Sequence, residues 1–126
     1  MKMKKKTIMI IDDEANLIKL VTDVLETEKY EVISCTNGVD ALKLLDSVKP
    51  DLVILDIMMP YMSGMEVLQK IRENPQTKDL TVILLTVVPK GEISLEEMKR
   101  LGVEQFISKP FEIEQLVKII NKILKK

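Results

Sequence analysis

The chain of 126 residues contains no histidine, one cysteine and four glycines. Without histidine, Ser-His-Asp and Cys-His nucleophilic systems are excluded, and so is any metal site built on imidazole. The single cysteine, Cys35, excludes an internal disulfide and a cysteine zinc cluster, and it fits a cytoplasmic protein. Any chemistry must therefore use carboxylates, hydroxyls and lysines.

The chain also lacks an excess of positive charge and any long apolar run. Nineteen Lys and Arg residues against 20 Asp and Glu residues give a formal net charge of −1. This balance disfavours direct binding of nucleic acid or of an anionic membrane. No apolar run approaches the ~18 residues of a spanning helix, so no membrane insertion is expected. The apolar stretch after residues 1–6 is too short for a signal peptide, and we interpret residues 1–6 as a basic leader.

What the chain does contain is an alternation of short aliphatic runs with amphipathic segments. Its length suits one domain, over residues 1–126, and 46% hydrophobic with 31% charged residues is typical of a globular protein. The alternation predicts an α/β fold with a doubly wound, five-stranded parallel sheet of order 2-1-3-4-5, a flavodoxin-like (βα)5 sandwich. The predicted strands lie near residues 7–11, 30–35, 52–55, 82–85 and 106–107.

Capping residues predict where the helices begin and end. Asp12 or Asp13 is expected to cap the first helix, which has Leu20 among its apolar positions. Gly102 is expected to end the fourth helix, because a glycine tolerates the left-handed conformation found there. Two Ser-x-x-Glu segments predict capping boxes. These are Ser63 with Glu66 and Ser94 with Glu97.

Polar side chains follow four of the predicted strands at their carboxyl ends. Asp12 and Asp13 follow the first strand and Asp56 the third. Thr86 follows the fourth strand and Lys109 the fifth. Taken singly, each is more simply a helix cap, a turn residue or a solvated cation. Together they are expected at one edge of the sheet, where open parallel sheets bind ligands.

Three carboxylates at this edge would repel one another unless a cation lay between them. Two unit charges about 4 Å apart repel by roughly 4 kcal/mol at an effective dielectric constant of 20. Carboxylate oxygens suit a hard divalent ion such as Mg²⁺. With a lysine and a hydroxyl nearby, the set is typical of phosphoryl transfer, in which an aspartate can itself be the nucleophile. The absence of a Gly-x-x-x-x-Gly-Lys loop disfavours a nucleotide donor.

Over essentially its whole length, the sequence resembles the response-regulator receiver domains of two-component signalling. The resemblance implies a signalling domain rather than an enzyme, one that catalyses only its own phosphorylation and dephosphorylation. The matching residues are Asp12-Asp13, Asp56 with Ile57-Met58-Met59-Pro60 and Ser63-Gly64, Thr86, and Lys109-Pro110-Phe111.

The resemblance implies a role for each matching residue. Asp56 would accept a phosphoryl group from a phosphohistidine on a sensor histidine kinase or a histidine phosphotransfer protein. Asp13, Asp56 and the main-chain carbonyl of Met58 would bind Mg²⁺ or Mn²⁺. Asp12 would act on the ion through water. Lys109 would pair with the phosphoryl oxygens.

A conformational switch is also implied. Thr86 would move to hydrogen-bond the phosphoryl group, and Phe106 would turn inward into the space it leaves; plain core packing is the alternative for Phe106. The bond between Lys109 and Pro110 would be cis. Helix 4, strand 5 and helix 5 would present the output surface to a downstream protein or a separate output domain. Homodimerisation on phosphorylation stays open, as does the choice between a stand-alone regulator and a piece of a longer protein.

Three residues depart from the usual receiver pattern. Val87 is bulkier than the small residue that most members carry, and we expect it to narrow the mouth over Asp56. Met58 and Val88, two residues past Asp56 and Thr86, are apolar. We expect them to orient attacking water poorly and so to give a long-lived phosphorylated state.

Two other functions stay open at this point. One is a small Mg²⁺-dependent phosphatase or phosphotransferase with an aspartate nucleophile. It is disfavoured because Met58 stands where haloacid-dehalogenase-like enzymes place a second aspartate. The other is a binding module with the receiver fold that is not phosphorylated, which the acid cluster, Thr86 and Lys109 disfavour.

Overall fold

The computed structural model of the protein describes residues 5–87 and 94–125. Within these ranges, five strands alternate with five helices. They are β1 (Thr7–Ile11), α1 (Ala15–Thr27), β2 (Glu31–Cys35), α2 (Gly38–Leu44), β3 (Leu52–Leu55), α3 (Gly64–Glu73), β4 (Val82–Thr86), α4 (Leu95–Arg100), β5 (Val103–Ser108) and α5 (Ile113–Ile123). None of the helices in the described ranges is long and apolar enough to span a membrane.

The strands form one parallel sheet in the order β2-β1-β3-β4-β5, which confirms the predicted α/β topology. All four residues of β3 are buried, as are the last four of β1. Continuous aliphatic runs are stable there because helices cover both faces of the sheet. The order reverses between β1 and β3, so the carboxyl ends of these two strands are adjacent.

The core has two layers, one on each face of the sheet. Alternate residues of β1 point to opposite faces: Ile8 and Ile10 pack with α1 and α5, and Met9 and Ile11 pack with α2 and α3. The helices contribute residues at helical spacing to each layer. Those of the first layer include Val21, Leu25, Leu116 and Ile120, and those of the second include Ala41, Val67, Leu68 and Ile71.

The capping predictions differ in outcome. The box at α3 is confirmed, with Ser63 Oγ accepting the Glu66 N–H and the Glu66 carboxylate accepting the Ser63 N–H. At α4 only half of the predicted box is present. Ser94 caps the Glu97 N–H, but the Glu97 carboxylate binds Arg100 in the next turn instead. Gly102 follows the α4 C-cap with φ +64°, as predicted.

Two predictions for α1 are wrong. Neither Asp12 nor Asp13 is the N-cap: the helix begins at Ala15 after Glu14. Asp12 is held in the site because one oxygen accepts the Glu14 N–H at 2.9 Å and the other binds Lys109. Leu20 is 53% exposed. The helix buries the stripe that contains Ile18, and Leu20 lies about 200° around the helix axis from it.

Candidate functional site

The parallel register brings the residues after β1 and β3 to one edge of the sheet. Ile11 pairs with Leu55, and the Asp56 N–H donates to the Ile11 carbonyl at 2.9 Å. The Asp12 N–H donates to the Cys35 carbonyl of β2 at 3.1 Å. Main-chain hydrogen bonds to neighbouring strands therefore hold Asp12 and Asp56 next to each other.

Three carboxylates meet at this edge. One oxygen from each of Asp12, Asp13 and Asp56 lies within 4.8 Å of the others. Asp12 and Asp56 keep only 1% and 3% of their surface exposed, while Asp13 is exposed. Burial of an ionised carboxylate is costly unless positive charge or hydrogen bonds compensate for it. The cluster is therefore an acidic recess that opens on the side of Asp13.

Lys109 supplies positive charge to this recess from the end of β5. Its Nζ donates to Asp12 Oδ2 at 2.8 Å and to Glu14 Oε1 at 3.0 Å, and it lies 3.5 Å from Asp56 Oδ2. Burial disfavours the charged amine, but the contacts with Asp12, Glu14 and Asp56 outweigh it and raise the pKa of Lys109. The Lys109–Pro110 peptide bond is cis, the isomer that the resemblance implies.

Its surroundings disfavour the ionised form of Asp56. Burial and the charge of Asp12 raise the pKa of Asp56, and Asp13 adds to this effect. Lys109 and the Met58 N–H, which donates to Asp56 Oδ1 at 3.2 Å, act in the opposite direction. The net result raises the pKa of Asp56 to about 6. Lys109 and the Met58 N–H therefore do not fully offset the burial of Asp56 and the charges of its acidic neighbours.

The loop between β3 and α3 packs tightly behind Asp56. The Gly64 N–H donates to the Ile57 carbonyl at 2.8 Å. A Cβ at position 64 would lie 2.1 Å from the Asp56 carbonyl oxygen, so only glycine fits there. Met58, whose N–H bonds Asp56 Oδ1, is 57% exposed.

The predicted switch residues are described only in part. Thr86 is the last residue of β4, but its side chain lies outside what the structure describes, as does the whole of Val88. Val87, the residue after β4, is 57% exposed. Phe106 pairs in register with Leu84 and is half-buried against the core layer of α2 and α3. Its contacts are those of core packing, and its switching role stays a prediction.

Glu14 is a site residue that the sequence reasoning missed. It precedes α1, and its carboxylate binds Lys109, 95 residues away. A third consecutive acid at the carboxyl end of a strand was the available signal. Its partner could not be deduced, because the contact depends on how β5 lies relative to β1.

The donor set fits a divalent cation. Carboxylate oxygens are the hard ligands that Mg²⁺ takes in proteins. Asp12, Asp13, Glu14 and Asp56 outnumber Lys109, the cation that contacts three of them in the described residues. A bound ion would offset the burial and the repulsion from Asp12 that raise the pKa of Asp56.

Comparison with known proteins defines the class. The family model of the response regulator receiver domain matches residues 8–121, and the chain belongs to this family. It is a signalling domain of response regulators, and its pocket of Asp12, Asp13 and Asp56 fits a phosphoacceptor site.

Particular relatives match nearly end to end. The polar-differentiation response regulator DivK of Brucella anthropi is 33% identical over 120 residues, covering 94% of this chain and 96% of DivK. Vibrio cholerae CheY4 has a TM-score of 0.86 at 28% identity, covering 95% of this chain and 99% of its own. Thermotoga maritima TrrA, solved in complex with Mg²⁺-BeF, has a TM-score of 0.81 at 36% identity, covering 94% and 98%.

Proposed function

We propose that Asp56 accepts a phosphoryl group from a phosphohistidine on a sensor histidine kinase or a histidine phosphotransfer protein. The observation that carries this proposal is the place of Asp56, recessed beside two further acids with Lys109 3.5 Å away. One carboxylate oxygen would attack phosphorus while the P–N bond breaks. The imidazole nitrogen would keep the electron pair, and the product would be an aspartyl phosphate.

The acids would hold the divalent ion that receiver domains bind. Asp13, Asp56 and the main-chain carbonyl of Met58 would be its direct ligands, with Asp12 acting through water. The mutual distance of at most 4.8 Å between oxygens of the three acids supports this assignment. The ion, Mg²⁺ or Mn²⁺, would supply positive charge that offsets the acids and the incoming phosphoryl oxygens.

Lys109 and Thr86 would stabilise the phosphoryl group from the protein side. Lys109 Nζ lies 3.5 Å from Asp56 Oδ2, so a short inward movement would bring the amine to an oxygen of a phosphorylated Asp56. Thr86 would donate its hydroxyl from the end of β4. We propose that Phe106 follows this movement and changes the surface of α4, β5 and α5.

That surface would contact a downstream protein target or a separate output domain, and phosphorylation could also drive homodimerisation across it. We propose a cytoplasmic protein with no direct nucleic-acid contact, in which residues 1–126 act as one receiver domain with a basic leader at residues 1–6. Catalysis would be limited to its own phosphorylation and dephosphorylation. A phosphatase is disfavoured because Met58, two residues after Asp56, offers no carboxylate.

Incubation with acetyl phosphate and Mg²⁺, followed by intact-mass measurement, tests the proposal. We expect one phosphoryl adduct, absent in Asp56→Asn. Asp46→Asn, which removes an exposed acid just after α2, is the matched control and should form the adduct normally. An adduct that persists in Asp56→Asn, or none in the unaltered protein, contradicts the proposal. Turnover of small phosphoesters would favour the phosphatase.

A further inference from the structure

Lys109 does not share its hydrogen bonds equally among the surrounding acids. Its Nζ is 2.8 Å from Asp12 Oδ2 and 3.0 Å from Glu14 Oε1, but 3.5 Å from Asp56 Oδ2. A charge-assisted N–H···O bond is about 2.7–2.9 Å long. In the unphosphorylated protein the amine is therefore bonded to Asp12 and Glu14 and only near Asp56.

Glu14 differs from the other acids that contact this amine. Its side chain is 58% exposed, whereas those of Asp12 and Asp56 are 1% and 3% exposed. It occupies the N-cap position of α1 but makes no side-chain capping bond. Its carboxylate binds Lys109 instead, and the side chain of Lys109 is only 9% exposed.

We propose that Glu14 is a positioning residue that holds Lys109 back from Asp56 until the phosphoryl group arrives. The inference rests on the proposed function of Asp56 as the acceptor. To bind a phosphoryl oxygen on Asp56, Lys109 must move its amine inward and give up the bond to Glu14. Loss of this restraint accelerates phosphorylation. Because Glu14 is more than half exposed, the gain is modest, roughly two- to fivefold.

Three variants separate the contact from its charge. Glu14→Gln removes the charge. Glu14→Asp keeps the charge, but its side chain is one methylene shorter and no longer reaches Lys109. Glu112→Gln is the control: Glu112 is an exposed acid three residues after Lys109, at the α5 N-cap without a capping bond. It removes the same charge near the site without removing the contact.

The first measurement is the rate of adduct formation with acetyl phosphate at saturating Mg²⁺. In this reaction the phosphoryl group moves to Asp56 and acetate leaves with the electron pair of the broken P–O bond. We expect both Glu14 variants to react roughly two- to fivefold faster and Glu112→Gln to match the unaltered protein. Acceleration by Glu14→Gln and Glu112→Gln but not by Glu14→Asp means a charge effect and overturns the proposal. Unchanged rates in both Glu14 variants also overturn it.

The second measurement is metal-free thermal unfolding in EDTA, with Glu14→Gln made alone and together with Lys109→Ala. If the contact holds Lys109, Glu14→Gln lowers the melting temperature by about 2 °C more when Lys109 is present than in the Lys109→Ala background. Equal changes in the two backgrounds overturn the inference alone when the unaltered protein still forms its adduct. If the unaltered protein forms no adduct, the proposed function fails and the inference fails with it.

Discussion

Charged side chains are buried or half-buried at both edges of the sheet, but their partners differ between the two edges. At the carboxyl edge, Asp12 and Asp56 are buried, and the cation that contacts both is Lys109. At the amino edge, where α3 and α4 end, Arg72 is half-buried and donates hydrogen bonds to main-chain carbonyls. These are the carbonyls of Leu101 at 2.6 Å, Leu80 at 2.7 Å, Lys78 at 2.9 Å and Gly102 at 3.1 Å.

The two edges show how one small domain combines stability with reactivity. Burial lowers the pKa of Arg72, and Asp79 opposes this shift. The guanidinium donates to the carbonyls of Leu101 and Gly102 at the end of α4, where main-chain carbonyls lack helical partners. At the other edge, burial and Asp12 raise the pKa of Asp56. The amino edge therefore stabilises the fold, while the carboxyl edge keeps a carboxylate whose ionised form the fold disfavours.

The largest expected effect is at the stabilising edge. Arg72→Ala leaves four carbonyls without their donor and should lower the free energy of unfolding by about 3 kcal/mol. Urea denaturation measures the loss. Arg100→Ala is the matched control, since Arg100 pairs with Glu97 in solvent and its removal should change little. Equal effects of the two variants would contradict the contrast between the edges.

Asp56→Asn should act in the opposite direction in metal-free buffer. Folding raises the pKa of Asp56 from 3.8 to about 6, so the folded state prefers the protonated acid. The stability that protonated Asp56 contributes is fully present below its ordinary pKa, and it is lost as the pH rises through about 6. We expect Asp56→Asn to gain about 2 kcal/mol of unfolding free energy at pH 8 and little near pH 4.

Urea denaturation in EDTA across this pH range measures the difference between Asp56→Asn and the unaltered protein. Asp46→Asn, an exposed acid, should show no pH-dependent gain. A loss of stability in Asp56→Asn at pH 8 would mean that the fold does not disfavour the ionised form of Asp56.

Met58→Asn tests whether the apolar side chain of Met58 protects the aspartyl phosphate from hydrolysis. An amide at this exposed position can hydrogen-bond an attacking water, which methionine cannot. We expect dephosphorylation to become about tenfold faster, equivalent to ~1.4 kcal/mol of barrier. Decay of the adduct, followed by intact mass, measures this. Met58→Leu should decay as the unaltered protein does, and equal decay of the Asn variant would reject the idea.

The smallest expected effect concerns Val87, which we expect to narrow the approach to Asp56. Val87→Ala should raise the phosphorylation rate with acetyl phosphate by about threefold, or ~0.7 kcal/mol. Val39→Ala is the control, because Val39 is an exposed valine on α2. If both variants react at the unaltered rate, Val87 does not limit the access of acetyl phosphate to Asp56.

The local signals in the sequence were sufficient where the interaction itself is local. Leu52–Leu55 is a buried strand because four aliphatic residues in a row suit a sheet covered on both faces. Ser63 and Glu66 form their box because both partners lie in one helical turn. Where another partner competes, these signals were not sufficient. Arg100, three residues further on, takes the Glu97 carboxylate, and the distant Lys109 binds Asp12.

The sequence by itself determined the strands and which edge of the sheet would carry the acids, because hydrophobic period and polar residues at strand ends are properties of short segments. The strand order followed from the fold class that the alternation of strands and helices predicts. The tertiary structure alone decided that Lys109 bonds Asp12 and Glu14 more closely than Asp56. It also decided that Arg72 joins α3 to the end of α4. These contacts join segments far apart in the chain, and their distances follow from the packing of helices on the sheet.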